Sequence, residues 1–182
     1  MVEPSSPGKA GRDFLRLVEI KDATFLYGLR LDTELSRYLS PVTGGVEGQA
    51  AWIASYKARK ALGSEAYYIV EAPGGRPCGT VRLYDIVAEN FTWGSFILTP
   101  DKPAKAALDV MLHSLEIGFA AFGCDRAELD AKMENTQALS LYDRFGMARY
   151  GEEDGSVLKC YQRLDFNAEC ELLLEIVKHA HI

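Results

Sequence analysis

A layered α/β domain built on a mixed sheet is the fold this sequence predicts, and three observations carry the prediction. Three β-rich runs lie between residues 66 and 98, and the turn "PGGRP" between the first two signals a hairpin. The apolar period then becomes helical over 103–122 and returns to a strand at 126–132, a β–α–β run that implies a right-handed crossover and a locally parallel strand pair. A further helix and a final hairpin follow. The expected architecture is a central mixed sheet of about six to seven strands flanked by helices, with an added C-terminal helix.

The opening "MVEPSSPGKAGRD" is rich in Pro, Ser and Gly and reads as a flexible tail over 1–12. A folded domain is expected over 13–165 and a helical extension over 166–182. "FLRLVEI" (14–20) has the character of a first strand. Asp22 stands where it can cap a short helix running to about Leu31. "RYLSPVTGG" is a loop and "GVEGQAAWIASYKARKAL" a second helix. Strands are expected at 66–72, 78–87 and 91–98. Beyond Pro103, residues Leu108, Met111, Leu112, Leu115, Phe119 and Phe122 share one helical face, and Gly123 sits where a C-terminal glycine belongs. "RAELDAK" (126–132) alternates as a strand. In "NTQALSLYDRFG" the residues Ala138, Leu141, Tyr142 and Phe145 have helical spacing, with Asn135 at the cap and Gly146 at the exit. Short strands at 147–151 and 157–164 close the sheet, and Leu172, Leu173, Ile176 and Val177 give the tail an amphipathic face.

The 182 residues suit one domain, and 48% hydrophobic with 25% charged residues is a globular balance. A net charge of -6 leaves no surplus of Lys and Arg to neutralise phosphates along a polymer, so no nucleic-acid partner is expected. Cys78, Cys124, Cys160 and Cys170 show no paired spacing and read as buried thiols of a reducing, cytoplasmic protein. No apolar run is long enough to span a bilayer, so no membrane partner is expected. His113 falls on the polar side of its helix, and His179 and His181 near the C-terminus are too few for a metal site, so no metal is expected.

The most specific stretch is "ELDAKMENTQALSLYDRFGMARYGEE" (128–153). It resembles the C-terminal half of the GCN5-related N-acetyltransferase family, in which a strand leads into Asn-x-x-Ala-x-x-x-Tyr-x-x-x-Gly-Phe. Asn135, Ala138, Tyr142 and Gly146 stand at those places, with Met147 where the family has phenylalanine. The resemblance runs from about Leu15 to Leu164 through the order of elements. It implies an enzyme that uses acetyl-CoA as co-substrate, held in a cleft where strands 91–98 and 126–132 splay apart. The backbone around Phe96, Ile97 and Leu98 would pair with the pantetheine arm as an added strand. Tyr142 matches the family's general acid, and a phenol with its ordinary pKa near ~10 stays protonated at neutral pH and still donates to a leaving thiolate. By helical phase alone Tyr142 equally completes an apolar face. Asn135 can cap the helix, reach the cofactor, or do both.

The family's fourth-strand glutamate position falls on Trp93, with Ser95 at the following glycine place, so the base is sought in Asp85 and Glu89. Trp93 is a core residue or an aromatic facing the acceptor, and Tyr84, with Tyr67 and Tyr68, offers rings of the same use. The junction "TPDKPAKAAL" lacks the family's Gln/Arg-x-x-Gly-x-Gly/Ala: counting from Pro100 puts Pro103, Ala106 and Leu108 at the typed positions. A helix starting at Pro103 would still aim the amides of Ala104, Lys105, Ala106 and Ala107 at a pyrophosphate, with Lys102 and Lys105 adding charge.

Spacing through the first two helices resembles the branch that acetylates ribosomal-protein N-termini, spermidine and nucleotide-linked amino sugars. The expectation is direct acetyl transfer to a primary amine of a small molecule, with a nucleotide-linked amino sugar first and a polyamine or protein N-terminus as alternatives. A non-catalytic acyl-CoA-binding or interaction module is the alternative of another class. The C-terminal helix would pack on the domain or form a homodimer contact.

Overall fold

A computed structural model of the chain describes residues 14–168. Seven strands form one sheet in the order β1-β2-β3-β4-β5-β7-β6. They are β1 (Leu15–Leu17), β2 (Ala66–Ala72), β3 (Arg76–Tyr84), β4 (Asn90–Leu98), β5 (Arg126–Lys132), β6 (Ala148–Glu153) and β7 (Ser156–Gln162). Four α-helices accompany them: α1 (Ala23–Leu31), α2 (Gly45–Ala61), α3 (Ala106–Glu116) and α4 (Thr136–Arg144). Every strand pair is antiparallel except β4 with β5, the parallel pair the crossover required. The predicted tail over 1–12, Cys170, His179, His181 and most of the C-terminal extension lie outside the described residues; 163–168 are helical.

The first strand is shorter than 14–20. Arg16 donates to both carboxylate oxygens of Asp22 at 2.7 and 2.8 Å and to Glu71 at 2.6 Å, while Asp22 also accepts from the Glu19 amide at 2.8 Å. These bonds fold the chain into a 3₁₀ turn at Ile20–Asp22, and the Asp22 side chain faces Arg16 instead of capping α1. The third strand ends at Tyr84 because Asp85 adopts a left-handed φ of 49°.

Strand alternation separates two cores. Val81 and Leu83 of β3, Phe91 and Trp93 of β4, and Ala127, Leu129 and Ala131 of β5 pack on the face covered by α3 and α4. Tyr67 and Ile69 of β2 face α1 and α2 with Leu26, Ile53 and Tyr56. β2 is therefore packed on both faces, since its Ala66 and Val70 join the first core and its Tyr67 and Ile69 the second.

The face predicted for α3 is the buried one: Met111, Leu112, Leu115 and Phe119 are buried, and Leu108 and Phe122 pack at the margin. The helix continues as a π segment, Ile117–Ala121, and a Cβ on Gly118 would lie 2.2 Å from the Phe91 ring. Only glycine lets this helix settle on β4. His113 is half-buried rather than on a solvent face, with its ring edge-on to Phe14 at 5.3 Å. Cys78, Cys124 and Cys160 are buried free thiols.

Candidate active site

The site begins where a sheet fails to close. β4 and β5 pair at Asn90–Arg126, Phe91–Ala127 and Thr92–Glu128, and the ladder stops there although both strands run on. On its other side β4 carries a bulge: Thr80 pairs with Ile97 and Arg82 with Gly94, so Ser95 and Phe96 together oppose Val81. Ser95 takes a φ of 48°, and its carbonyl accepts the Thr80 hydroxyl at 3.0 Å. A bulge bends its strand and increases local twist, which turns β4 away from β5. The opening leads into a cavity of about 600 Å³ walled by the splayed strands, α4 and the loop between α1 and α2.

Tyr142 reaches this cavity from α4. It is 5% exposed, stands edge-on to Trp93 at 6.1 Å, and donates its hydroxyl to the Asp130 carbonyl at 3.3 Å. Burial drives its pKa far above that of a free tyrosine, and the neighbouring Asp130 and Tyr84 add to the rise. The phenol is thus neutral at any physiological pH. Asn135 Oδ1 accepts from the Ala138 amide at 3.2 Å, a helix cap, and Asn135 and Ala138 line the cavity two turns and one turn before Tyr142.

At the glycine-free junction the helix starts later than expected. α3 begins at Ala106, preceded by Lys105 with a left-handed φ of 68°; Pro103 lies in the turn before it. The Ala106 amide is bonded to the Pro103 carbonyl at 3.2 Å, so it is withdrawn from the set of four amides expected to meet an anion. The reason is conformational: a residue at positive φ breaks the helical path, so Pro103 cannot be its first position. Counted so that its first glycine falls on Lys105, the residue at positive φ, Gln/Arg-x-x-Gly-x-Gly/Ala would fall on Lys102, Lys105 and Ala107, one residue before the count from Pro100.

Phe96 lines the cavity, and Ile97 is buried, with Leu98 packed into the core beside α3. Trp93 is 1% exposed, its indole N–H is bonded to Ser114 at 2.7 Å, and it also lines the cavity. Of the two readings of Trp93, its burial and its bond to Ser114 favour the core residue. Tyr84 does line the cavity, as does Tyr67, whereas Tyr68 points into the opposite core. Asp85 and Glu89 are exposed in the β3–β4 connection and do not line the cavity; Glu89 lies at the paired end, where its carbonyl accepts from Asp125 and Arg126. The β3–β4 hairpin that carries both lies at the paired end of β4, away from the opening.

The carboxylate that does line the cavity is Asp130, facing away from the core set Ala127, Leu129 and Ala131. Its signal was legible: the same alternation that identifies the strand assigns it to the open face. Arg30, Arg82 and Lys132 line the cavity too. Arg82 is clamped between the rings of Trp52 at 5.1 Å and Tyr84 at 4.5 Å, with its Nε bonded to the buried Glu65 at 2.6 Å. Nothing in the spacing of these arginines marks them, because they converge only through packing of α1 and β3.

Comparison with known proteins agrees with this geometry. A family model described as an acetyltransferase (GNAT) domain matches residues 12–148. Similar solved structures include apo FdhC, described as a nucleotide-linked sugar GNAT, with a TM-score of 0.78 and 34% identity, covering 85% of this chain and 89% of that one. The spermidine N-acetyltransferase of Vibrio cholerae in complex with CoA and spermine has a TM-score of 0.71 at 18% identity, covering 84% and 96% of the two chains. No protein of curated function matches the chain. Among the described residues no helix is long and apolar enough to cross a membrane. With the domain match covering most of its length, the chain belongs to the GCN5-related N-acetyltransferase family and is an N-acetyltransferase.

Proposed function

We propose that the chain transfers the acetyl group of acetyl-CoA to the primary amine of a nucleotide-linked amino sugar. The observation that carries the reading is the buried Tyr142 hydroxyl at the mouth of the β4–β5 opening, beside a cavity large enough for an acceptor. The residues present fit the co-substrate. The stretch Phe96–Leu98 has no β5 partner and offers its backbone as a sheet edge, and Lys102, Lys105 and Ala107 stand at the start of α3 to meet the pyrophosphate.

Asp130 takes the proton of the incoming ammonium, directly or through water, so that nitrogen attacks with a free lone pair. Tyr142 returns a proton to the departing thiolate and recovers its own from solvent. Asn135 fixes the first turn of α4 and with it the position of the phenol. Two observations favour a nucleotide-linked acceptor: the 34% identity with FdhC, and a cavity with three cationic side chains against the one carboxylate of Asp130. A polyamine would meet those cations unfavourably.

The test incubates the protein with acetyl-CoA and, separately, UDP- and dTDP-linked amino sugars, spermidine and N-terminal peptides, with mass spectrometry of the products. Acetylated amino sugar is expected; transfer to spermidine or peptide alone would overturn the acceptor. Acetyl-CoA at millimolar concentration should also raise the melting temperature, and no shift together with no product would indicate an interaction module.

A further inference from the structure

We infer that Arg30 and Arg82 form an anion subsite that holds the phosphates of the acceptor, an assignment that rests on the nucleotide-linked reading above. The sheet places Arg82 on the open face of β3, and the last turn of α1 brings Arg30 to the same cavity. The two differ in how they are held. Arg82 is fixed by Glu65 and by two aromatic rings, and Glu65 is shared with Arg59, whose Nε donates to it at 2.5 Å. One carboxylate thus serves two guanidinium groups, leaving a net positive charge at the cavity wall.

Arg30 is the more informative. Its terminal nitrogen donates to the Ser40 carbonyl in the loop that walls the cavity, but its Nε is buried with no hydrogen-bond partner. Among the described residues it makes no ion pair with a carboxylate. Burial pulls its pKa down, offset in part only by the Tyr67 hydroxyl. A guanidinium cannot shed its charge, so a half-buried one with its Nε sealed from solvent and no counterion gains most when an anion enters the cavity it lines. In a chain of net charge -6 these cations are concentrated against the general field, which makes them selective for an anionic group drawn into the cavity. Two planar forks lining one cavity suit a diphosphate, whose oxygens accept paired N–H donors.

The probe is UDP, titrated calorimetrically into the full chain, with inorganic pyrophosphate as a second probe that separates phosphate recognition from nucleoside recognition. Wild type should bind UDP in a salt-sensitive manner. Arg30→Gln and Arg82→Gln should each weaken it at least ~10-fold, in line with loss of a charge-assisted pair, while the surface change Arg149→Gln leaves it within ~2-fold. Acetyl-CoA affinity should be the same in all four proteins and serves as the check on folding. If Arg30→Gln fails that check, Arg30→Lys takes its place: retained charge without the fork should weaken UDP less than Arg82→Gln does. No UDP or pyrophosphate binding to wild type at millimolar concentration, or equal binding by the arginine variants, would overturn the subsite. Failure here with acetylation of a nucleotide-linked amino sugar intact leaves the acceptor reading standing. Arginine-dependent UDP binding without such acetylation leaves the subsite and removes the acceptor.

Discussion

At one end of the β4–β5 pair the ladder is closed and dry: Phe91 and Ala127 are buried face to face with α3, and Gly118 lets the helix backbone rest against the Phe91 ring. A few residues further on, the same two strands have parted, and Asp130, Phe96 and Tyr142 wall a cavity. The backbone groups released by parting are what an extended ligand can use, while the closed end supplies the burial that holds the opening at a fixed width. Stability and chemistry are thus divided along one pair of strands, and substitutions at the two ends should read out differently.

The largest effect is expected at the open end. Tyr142→Phe removes only the hydroxyl and keeps the ring that packs on Trp93, so folding and acetyl-CoA affinity should be unchanged while kcat falls at least ~100-fold. That loss corresponds to about 2.7 kcal/mol in the barrier. Because burial raises the Tyr142 pKa, the wild-type pH–rate profile should show no descending limb near ~10, where an ordinary tyrosine titrates. Steady-state release of CoA followed across pH checks both points. An unchanged kcat in the variant would remove Tyr142 from the chemistry, whereas a limb near that pH that is absent from the variant would keep the role and overturn the raised pKa.

Next in size is the closed end. Gly118→Ala brings a methyl group into the Phe91 ring and should cost about 2 kcal/mol of stability by denaturant melting, with kcat of the folded protein retained. Adding Phe91→Leu to that background should recover part of the loss, since the clash is with the ring itself. If Gly118→Ala instead lowered kcat without lowering stability, the division between the two ends would be wrong.

Asp130→Asn is expected to have a smaller effect, about tenfold in kcat/KM at neutral pH, equivalent to ~1.4 kcal/mol. The deficit should narrow as pH rises, because an amine that has already lost its proton no longer requires a carboxylate. A deficit constant with pH would make Asp130 a binding residue rather than the proton acceptor.

How much of this was legible in the chain depends on the range of the interactions involved. Tyr142 and Asn135 were legible because their spacing is set within α4 and the strand before it. The alternation in "RAELDAK" likewise carried Asp130, while nothing local separates it from the hairpin carboxylates Asp85 and Glu89. Lys105 was not legible, since a lysine at positive φ is chosen by the turns on either side of it and contradicts its own preference. Nor was Arg30, whose significance comes from its contact with a loop ten residues later in sequence and from an Nε sealed without a partner. Local periodicity reported the scaffold, and the motif around Tyr142, not its helical phase, singled that residue out; long-range packing determined the charge of the cavity and the start of α3.

The smallest expected effect separates two roles in a single residue. Asn135 caps α4 through the Ala138 amide, so Asn135→Ala should lower stability by about 1 kcal/mol. Serine at this position keeps an oxygen for the amide but is shorter and has no amide nitrogen of its own. Asn135→Ser should therefore restore most of the stability. If Asn135 serves only as a cap, the serine variant should also restore acetyl-CoA affinity and kcat. If its side chain also reaches the co-substrate, stability should return while acetyl-CoA affinity stays low. Paired melting and binding measurements on the two variants decide between these outcomes, because a cap acts through the helix and a contact acts through the ligand.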